Sequence, residues 1–301
     1  MEPNGLEVRP KMKLTKDTNI LIVGLGVIGG GYAEALSSKG YRVTCITKEQ
    51  KDIEYALERG MIAEGWTEPT AERVGNADLV ILALYPTVML DWLERYQGYF
   101  KSGALVTDVT GVKGDIVDRV QGMLREDVEF IAAHPMAGRE RSGVEFSDAK
   151  VFQGANYIVT PTERNTPEAI EACRRLGEEL GFARITELTP KKHDEMIAFL
   201  SQLTHCIAVV LMNCNTTPNM EAYTGDSFRD LTRIAKINDE MWSELFLWNR
   251  EELLRQMDAF SETFAELRRF LDAGDREGMR EMMRYSTFRR GLFDKPKNET
   301  K

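Results

Sequence analysis

Residues 20–36 read ILIVGLGVIGGGYAEAL. Four aliphatic residues are followed by Gly24, Gly26 and Gly29 in a G-x-G-x-x-G spacing and then by a helix-forming run, which spells strand, tight turn, helix. In such a turn the first glycine lets the chain reverse, the second lets the backbone approach a pyrophosphate, and the third lets helix and strand pack closely. The helix N-terminus then faces the phosphates. The stretch predicts a dinucleotide site formed by Gly24, Gly26, Val27, Ile28 and Gly29.

The same alternation continues outward. YRVTCIT (41–47), ADLVILAL (77–84), ALVTDV (104–109), EFIAAH (129–134) and NYIVTP (156–161) are short apolar runs separated by segments with helical or crossover character. That order predicts an α/β fold, a Rossmann-type doubly wound parallel sheet. The runs are apolar throughout, as they must be when helices cover both faces. After GFARITELTP (181–190) the strands stop and long helical patterns take over as far as about Leu292. Thr189 and Pro190 read as the opening of the first of these helices, with threonine as cap and proline at the first helical position. The expected division is a tail at 1–17, a dinucleotide-binding domain at 18–187, an all-α dimerisation and substrate domain at 188–293, and a tail at 294–301. The helical part carries so much Met, Leu, Phe and Trp that a homodimer built on it is the economical way to bury them.

The 301-residue chain has a formal charge of -9, which argues against nucleic acid as a partner. A small anionic substrate is compatible with that charge if arginines are gathered locally. The four cysteines show no paired spacing, which suits a reducing compartment. The first 17 residues hold no apolar run of the signal-peptide kind. MIAFLSQLTHCIAVVLM (196–212) is interrupted by Gln202 and His205 and reads as a buried helix, not a membrane span. A cytoplasmic location without membrane contact is the expectation.

At the end of the second strand, where an acidic residue usually meets the adenosine ribose, stand Thr47 and Lys48. A hydroxyl and an ammonium suit a 2'-phosphate, so NADP is expected over NAD; if Glu49 or a water serves the ribose instead, NAD follows. Ligands of open parallel sheets sit beyond the strands' carboxyl ends. This points to Leu84 and Tyr85 for the cofactor, to the loop DVTGVK (108–113), and to HPMAGRER (134–141). His134 reads either as a strand-end imidazole capping a carbonyl or as a group that takes a proton from a substrate hydroxyl. Pro135 fixes the chain direction, and Gly138, Arg139 and Arg141 follow where an anion needs donors, which favours the chemical reading. The three histidines match no metal-ligand spacing, and no metal is assigned.

GLGVIGG, DVTGVKG, HPMAGRERSG, LTPKKHDEMIAFLSQLTHCIA and DLTRIA together resemble the TyrA family of prephenate and arogenate dehydrogenases, in the family's order and over nearly the whole chain. The resemblance implies an NAD(P)-dependent oxidative decarboxylation of prephenate, a small dicarboxylate, to 4-hydroxyphenylpyruvate in tyrosine biosynthesis. It implies that His134 accepts the ring hydroxyl's proton, that His205 is a second active-site histidine, and that Arg233 binds a substrate carboxylate. Thr110, Lys113 and Arg139 are further substrate-binding candidates. Position 111 departs from the family, where a serine often stands; this chain has Gly111, with Thr110 as a possible replacement. His193, one turn into its helix, reads as part of a cap network. Arogenate as substrate is the alternative. More distant alternatives are a β-hydroxyacid dehydrogenase, with Lys191 or Lys192 as the proton-transfer group, and a dinucleotide-sensing regulator.

Overall fold

Strand β1 (Ile20–Val23) has no exposed face. Ile20 and Ile22 contribute to one core layer with Tyr32, Leu36 and Ile81, whereas Leu21 and Val23 join the other with Val80, Leu82 and Val106. Successive strand residues point to opposite faces, so an uninterrupted aliphatic run is what a sheet covered on both sides requires. The computed structural model describes residues 12–138, 141 and 143–294.

β1 is central in a six-stranded parallel sheet with β2 (Val43–Ile46), β3 (Glu64–Trp66), β4 (Leu79–Leu82), β5 (Leu105–Asp108) and β6 (Glu129–Phe130), in the order β3-β2-β1-β4-β5-β6. The strand order reverses between β1 and β4, the topological switch point where such sheets bind ligands. The helices that cover it are α1 (Val27–Ser38), α2 (Gln50–Glu58), α3 (Ala71–Gly75), α4 (Pro86–Tyr96) and α5 (Gly114–Met123).

The run EFIAAH is not one strand of that sheet. Phe130 pairs with Val106 in β6, and the chain then crosses at Ile131 into β7 (Ala132–Met136), which pairs antiparallel with β8 (Asn156–Thr160). NYIVT therefore belongs to a second sheet, completed by β9 (Arg184–Glu187) parallel to β8. His134 accordingly lies inside β7, opposite Ile158, and not at a strand end. Pro135 is tolerated because β7 is an edge strand and needs no ladder donor there.

Helix α6 (Pro167–Leu180) precedes β9, and the remaining helices are α7 (Pro190–Ile197), α8 (Thr204–Asn213), α9 (Asp226–Thr232), α10 (Asp239–Trp248), α11 (Arg250–Asp272) and α12 (Arg276–Gly291). Thr189 caps α7 by accepting from the Lys192 amide, with Pro190 in the first turn. α7 and α8 are joined by a π-helical stretch, Ala198–Leu203, an insertion of the kind often found at functional sites. The expectation that this apolar helix is buried holds only for part of it, at Ile197, Ala198, Gln202, Leu203 and Ala208. Phe199, Leu200, Val210 and Met212 are exposed.

By internal contacts the chain forms two units, Met1–Arg250 and Glu251–Lys301. Both sheets, α1–α10 and every candidate site residue lie in the first. The second holds α12 and nearly all of α11, which expose Phe264, Leu271, Tyr285 and Phe288.

Candidate active site

The glycine turn divides into two kinds of position. Gly24 has φ +94°, and a Cβ there would stand 2.4 Å from the Ala83 carbonyl oxygen; at Gly29 a Cβ would stand 2.1 Å from the Gly24 oxygen. Packing alone forbids a side chain at both. At Gly26 a Cβ would meet nothing within 4 Å, so this glycine faces open space. Gly26 also caps α1 without a side-chain hydrogen bond, and the first turn, which begins at Val27 and Ile28, holds no acidic residue. The free amides and positive end of that helix are left for an anion, so the cradle fits a dinucleotide pyrophosphate.

Around it, the side chain of Leu84 lies against the Gly24 turn. Tyr85, at the N-terminus of α4, is 39% exposed and accepts a hydrogen bond from Asn238 Nδ2 at 3.4 Å. Thr47 follows β2 with its amide donating to the Trp66 carbonyl at 3.0 Å, and Lys48 is exposed.

At the end of β5, Asp108 is buried and organises its loop. Its Oδ1 accepts from the Ala133 amide at 3.1 Å, and its Oδ2 accepts from the Thr110 amide at 3.0 Å, the Thr110 hydroxyl and Lys113 Nζ at 2.6 Å. Lys113 is fully buried, and burial lowers its pKa against the opposing pull of Asp108. The ammonium read from sequence as a substrate ligand is thus turned inward, because a buried carboxylate and the Thr110 hydroxyl, 3.1 Å away, solvate it. The Thr110 hydroxyl, also 2.9 Å from the Val112 carbonyl, is engaged within the same cluster. Gly111 is different. A Cβ built there would lie 3.8 Å from both Cε1 and Nε2 of His134 and 3.7 Å from Leu245, so the outer edge of the imidazole faces this position.

The other ring nitrogen of His134, Nδ1, is 2.9 Å from Nε2 of His193, with the two rings edge to face. His193 is buried, and its Nδ1 lies 2.7 Å from Asp194 Oδ1. That carboxylate also accepts from the backbone amides of Lys113 and Gly114, at 2.9 and 2.7 Å, at the start of α5. Desolvation holds the His134 pKa well below the ordinary 6.5, and His193 and Lys113 push it the same way. Burial lowers His193 as well, although the Asp194 carboxylate opposes it. His193 was assigned to a cap network from sequence; in the structure it stands between His134 and a carboxylate. Fifty-nine residues separate the two histidines, so no local pattern reveals the contact. The adjacent His193–Asp194 pair was the available signal.

His205, on α8, bonds the Ser201 carbonyl through Nδ1 at 2.9 Å and stacks on Trp242 of α10, with ring centroids 3.7 Å apart. Arg233 is exposed, in a 3-10 turn (Arg233–Ala235) that packs against α8, so its segment and the helix of His205 are neighbours. Arg141 lies over the Phe146 ring, 5.0 Å from its centroid. Arg139 lies outside the described residues.

Comparison with known proteins places these features in a family. Residues 32–187 match the family model described as prephenate dehydrogenase, nucleotide-binding domain, and residues 189–285 match prephenate dehydrogenase, dimerization domain. Prephenate dehydrogenase of Bacillus subtilis (strain 168) is 30% identical over 276 residues, 89% of this chain and 74% of the relative. Cyclohexadienyl dehydrogenase of Zymomonas mobilis is 28% identical over 87% of this chain and 91% of its own. Among solved structures, prephenate dehydrogenase from A. aeolicus in complex with hydroxyphenyl propionate and NAD+ superposes with a TM-score of 0.85 at 28% identity, covering 92% of this chain and 98% of that one.

Proposed function

The chain belongs to the prephenate dehydrogenase family of nicotinamide-dependent oxidoreductases, and from that premise we propose that His134 is the base of an oxidative decarboxylation of prephenate. The observation that carries the proposal is an imidazole kept neutral by its surroundings, with one nitrogen held by His193 and the other edge facing the space beside Gly111. A neutral imidazole accepts a proton; one already protonated at pH 7 does not.

The turn Gly24–Gly29 and the N-terminus of α1 hold the cofactor's pyrophosphate, with Leu84 and Tyr85 beside them. The bound nicotinamide supplies the acceptor for the hydride that leaves the carbon bearing the substrate's ring hydroxyl. His134 takes the hydroxyl proton at Nε2 as that carbon becomes a carbonyl. Loss of carbon dioxide then aromatises the ring, and the same nitrogen returns the proton to the phenolate oxygen, so atoms and charge balance. Arg233 is the proposed partner of a substrate carboxylate, a bidentate pairing to which guanidinium geometry is suited. His205, held flat on Trp242, is the proposed second contact. Lys113 acts from behind, as a buried positive charge that disfavours protonation of His134 in the resting site.

Among the dinucleotides, NADP is the proposed preference, because Thr47 and the exposed Lys48 stand where a ribose-binding carboxylate would repel a 2'-phosphate. The dimerisation-domain match and the exposed apolar residues of α8, α11 and α12 support a homodimer. The test is steady-state nicotinamide reduction with prephenate and with arogenate, each with NAD and with NADP. Turnover on prephenate with a lower KM for NADP is expected. Turnover on arogenate alone would overturn the substrate, and a lower KM for NAD would mean that Glu49 or a water, not Lys48, serves the ribose.

A further inference from the structure

A general base is useful only if the correct nitrogen carries the lone pair, and in a neutral imidazole that is decided by what the other nitrogen touches. We propose that Asp194 and His193 form a positioning relay that fixes the tautomer of His134, keeping Nε2 bare on the side of Gly111. The proposal rests on the reading of His134 as the base.

Asp194 accepts two backbone amides, from Lys113 and Gly114, in addition to its contact with His193. An ionised carboxylate has no hydrogen to give, so the hydrogen in the 2.7 Å contact belongs to His193 Nδ1. A neutral His193 has only one ring hydrogen, which leaves its Nε2 as an acceptor. The nitrogen 2.9 Å away, His134 Nδ1, must then be the donor. His134 in turn has spent its single hydrogen, and its Nε2 is a lone pair. The opposite tautomer would set two lone pairs against each other at 2.9 Å and present an N–H to a hydroxyl whose proton must be accepted.

The relay is anchored. Asn249 Nδ2 donates to the Asp194 carbonyl at 3.0 Å and to Gln202 Oε1 at 2.8 Å, while Gln202 Nε2 donates to the Leu245 carbonyl at 3.0 Å. Asn249, Gln202, His193 and Asp194 are all buried, so the carboxylate is held by α5, α7, the π-helical stretch and the end of α10 together. Once His134 has gained its proton, the Nδ1–H bond to His193 becomes charge-assisted, and the nearby carboxylate stabilises the imidazolium without itself being protonated.

The test uses the intact enzyme labelled with 15N-histidine. With three histidines in the sequence, two-bond 15N–1H correlations resolve every ring, and His205→Gln and His193→Gln assign them. The expected spectrum at pH 7.5 has His134 and His193 both protonated at Nδ1 and bare at Nε2. His134 protonated at Nε2 overturns the relay. In kinetics, His193→Phe removes the acceptor and is expected to lower kcat by about a hundredfold or more with KM within about threefold. His193→Gln, whose amide oxygen reaches the place of Nε2, is expected to recover at least about a tenth of the wild-type kcat. Equal losses in both variants, or none, would contradict a positioning role. The two readings fail separately: a His134→Asn enzyme with wild-type turnover removes the base itself, whereas an Nε2-protonated His134 in an enzyme that His134→Asn inactivates removes the relay alone.

Discussion

At the scale of single residues, His134 must stay neutral if it is to accept a proton. Because the His134 pKa is depressed, protonation requires a more acidic solution than for a free imidazole, and the acid limb of kcat/KM should have its midpoint below pH 6.5. A midpoint above 6.5 in the pH–rate profile would mean that the imidazole is not desolvated as described. Linkage has the same sign. Below about pH 6.5 an unfolded His134 or His193 takes up a proton that the folded protein resists, so thermal stability should drop between pH 7 and 5 in part through these two groups. Gly111 offers a second check. A Cβ fits there at ordinary contact distance, so Gly111→Ser should fold with an unchanged Tm and set a hydroxyl beside His134 Nε2; aggregation or a large Tm loss would show that the space is not open. The sequence singled out His134 and Gly111, and the structure sets the two against each other. The contact of His193 with His134 was not legible, because the identity of a helix residue's spatial neighbour 59 positions away is a tertiary fact.

At the scale of elements, the glycine turn separates packing from binding. Gly24→Ala meets the Ala83 carbonyl and an unfavourable φ and should yield little folded protein. Gly26→Ala meets nothing and should fold normally, yet raise the cofactor KM by about tenfold or more, since each tenfold corresponds to only about 1.4 kcal/mol of lost pyrophosphate approach. Equal thermal stability of the two variants in a melting experiment would contradict this division. The β5–α5 loop makes a comparable claim. Lys113→Met strands the Asp108 carboxylate in a buried site and should cost about 3–5 kcal/mol in denaturant unfolding, whereas a surface pair would cost under about 1. The strands β1, β2, β4 and β5 were legible as aliphatic runs because burial on both faces writes itself into composition. β3 and β9 were not: Glu64–Trp66 and Arg184–Glu187 are short, partly exposed and charged, and only pairing with a neighbour makes them strands. The crossing at Ile131 was hidden for the same reason, since an apolar run carries no mark of which sheet each half will join.

At the scale of the whole molecule, the helices of each unit expose apolar side chains. Val210 is 60% exposed, Phe264 63% and Phe288 65%. Light scattering should give a mass near twice 34.2 kDa, and a single-chain mass at micromolar concentration would contradict a homodimer. The apolar run 196–212 was read as a buried helix because sequence gives hydrophobicity without saying which molecule provides the cover. On the proposed function, the fold serves to hold a neutral imidazole between His193 and the space beside Gly111. The most direct test of that claim is the turnover of His134→Asn on prephenate at saturating cofactor. A fall in kcat of about two to four orders of magnitude, with KM changed far less, is the predicted result; turnover within a fewfold of wild type would contradict it.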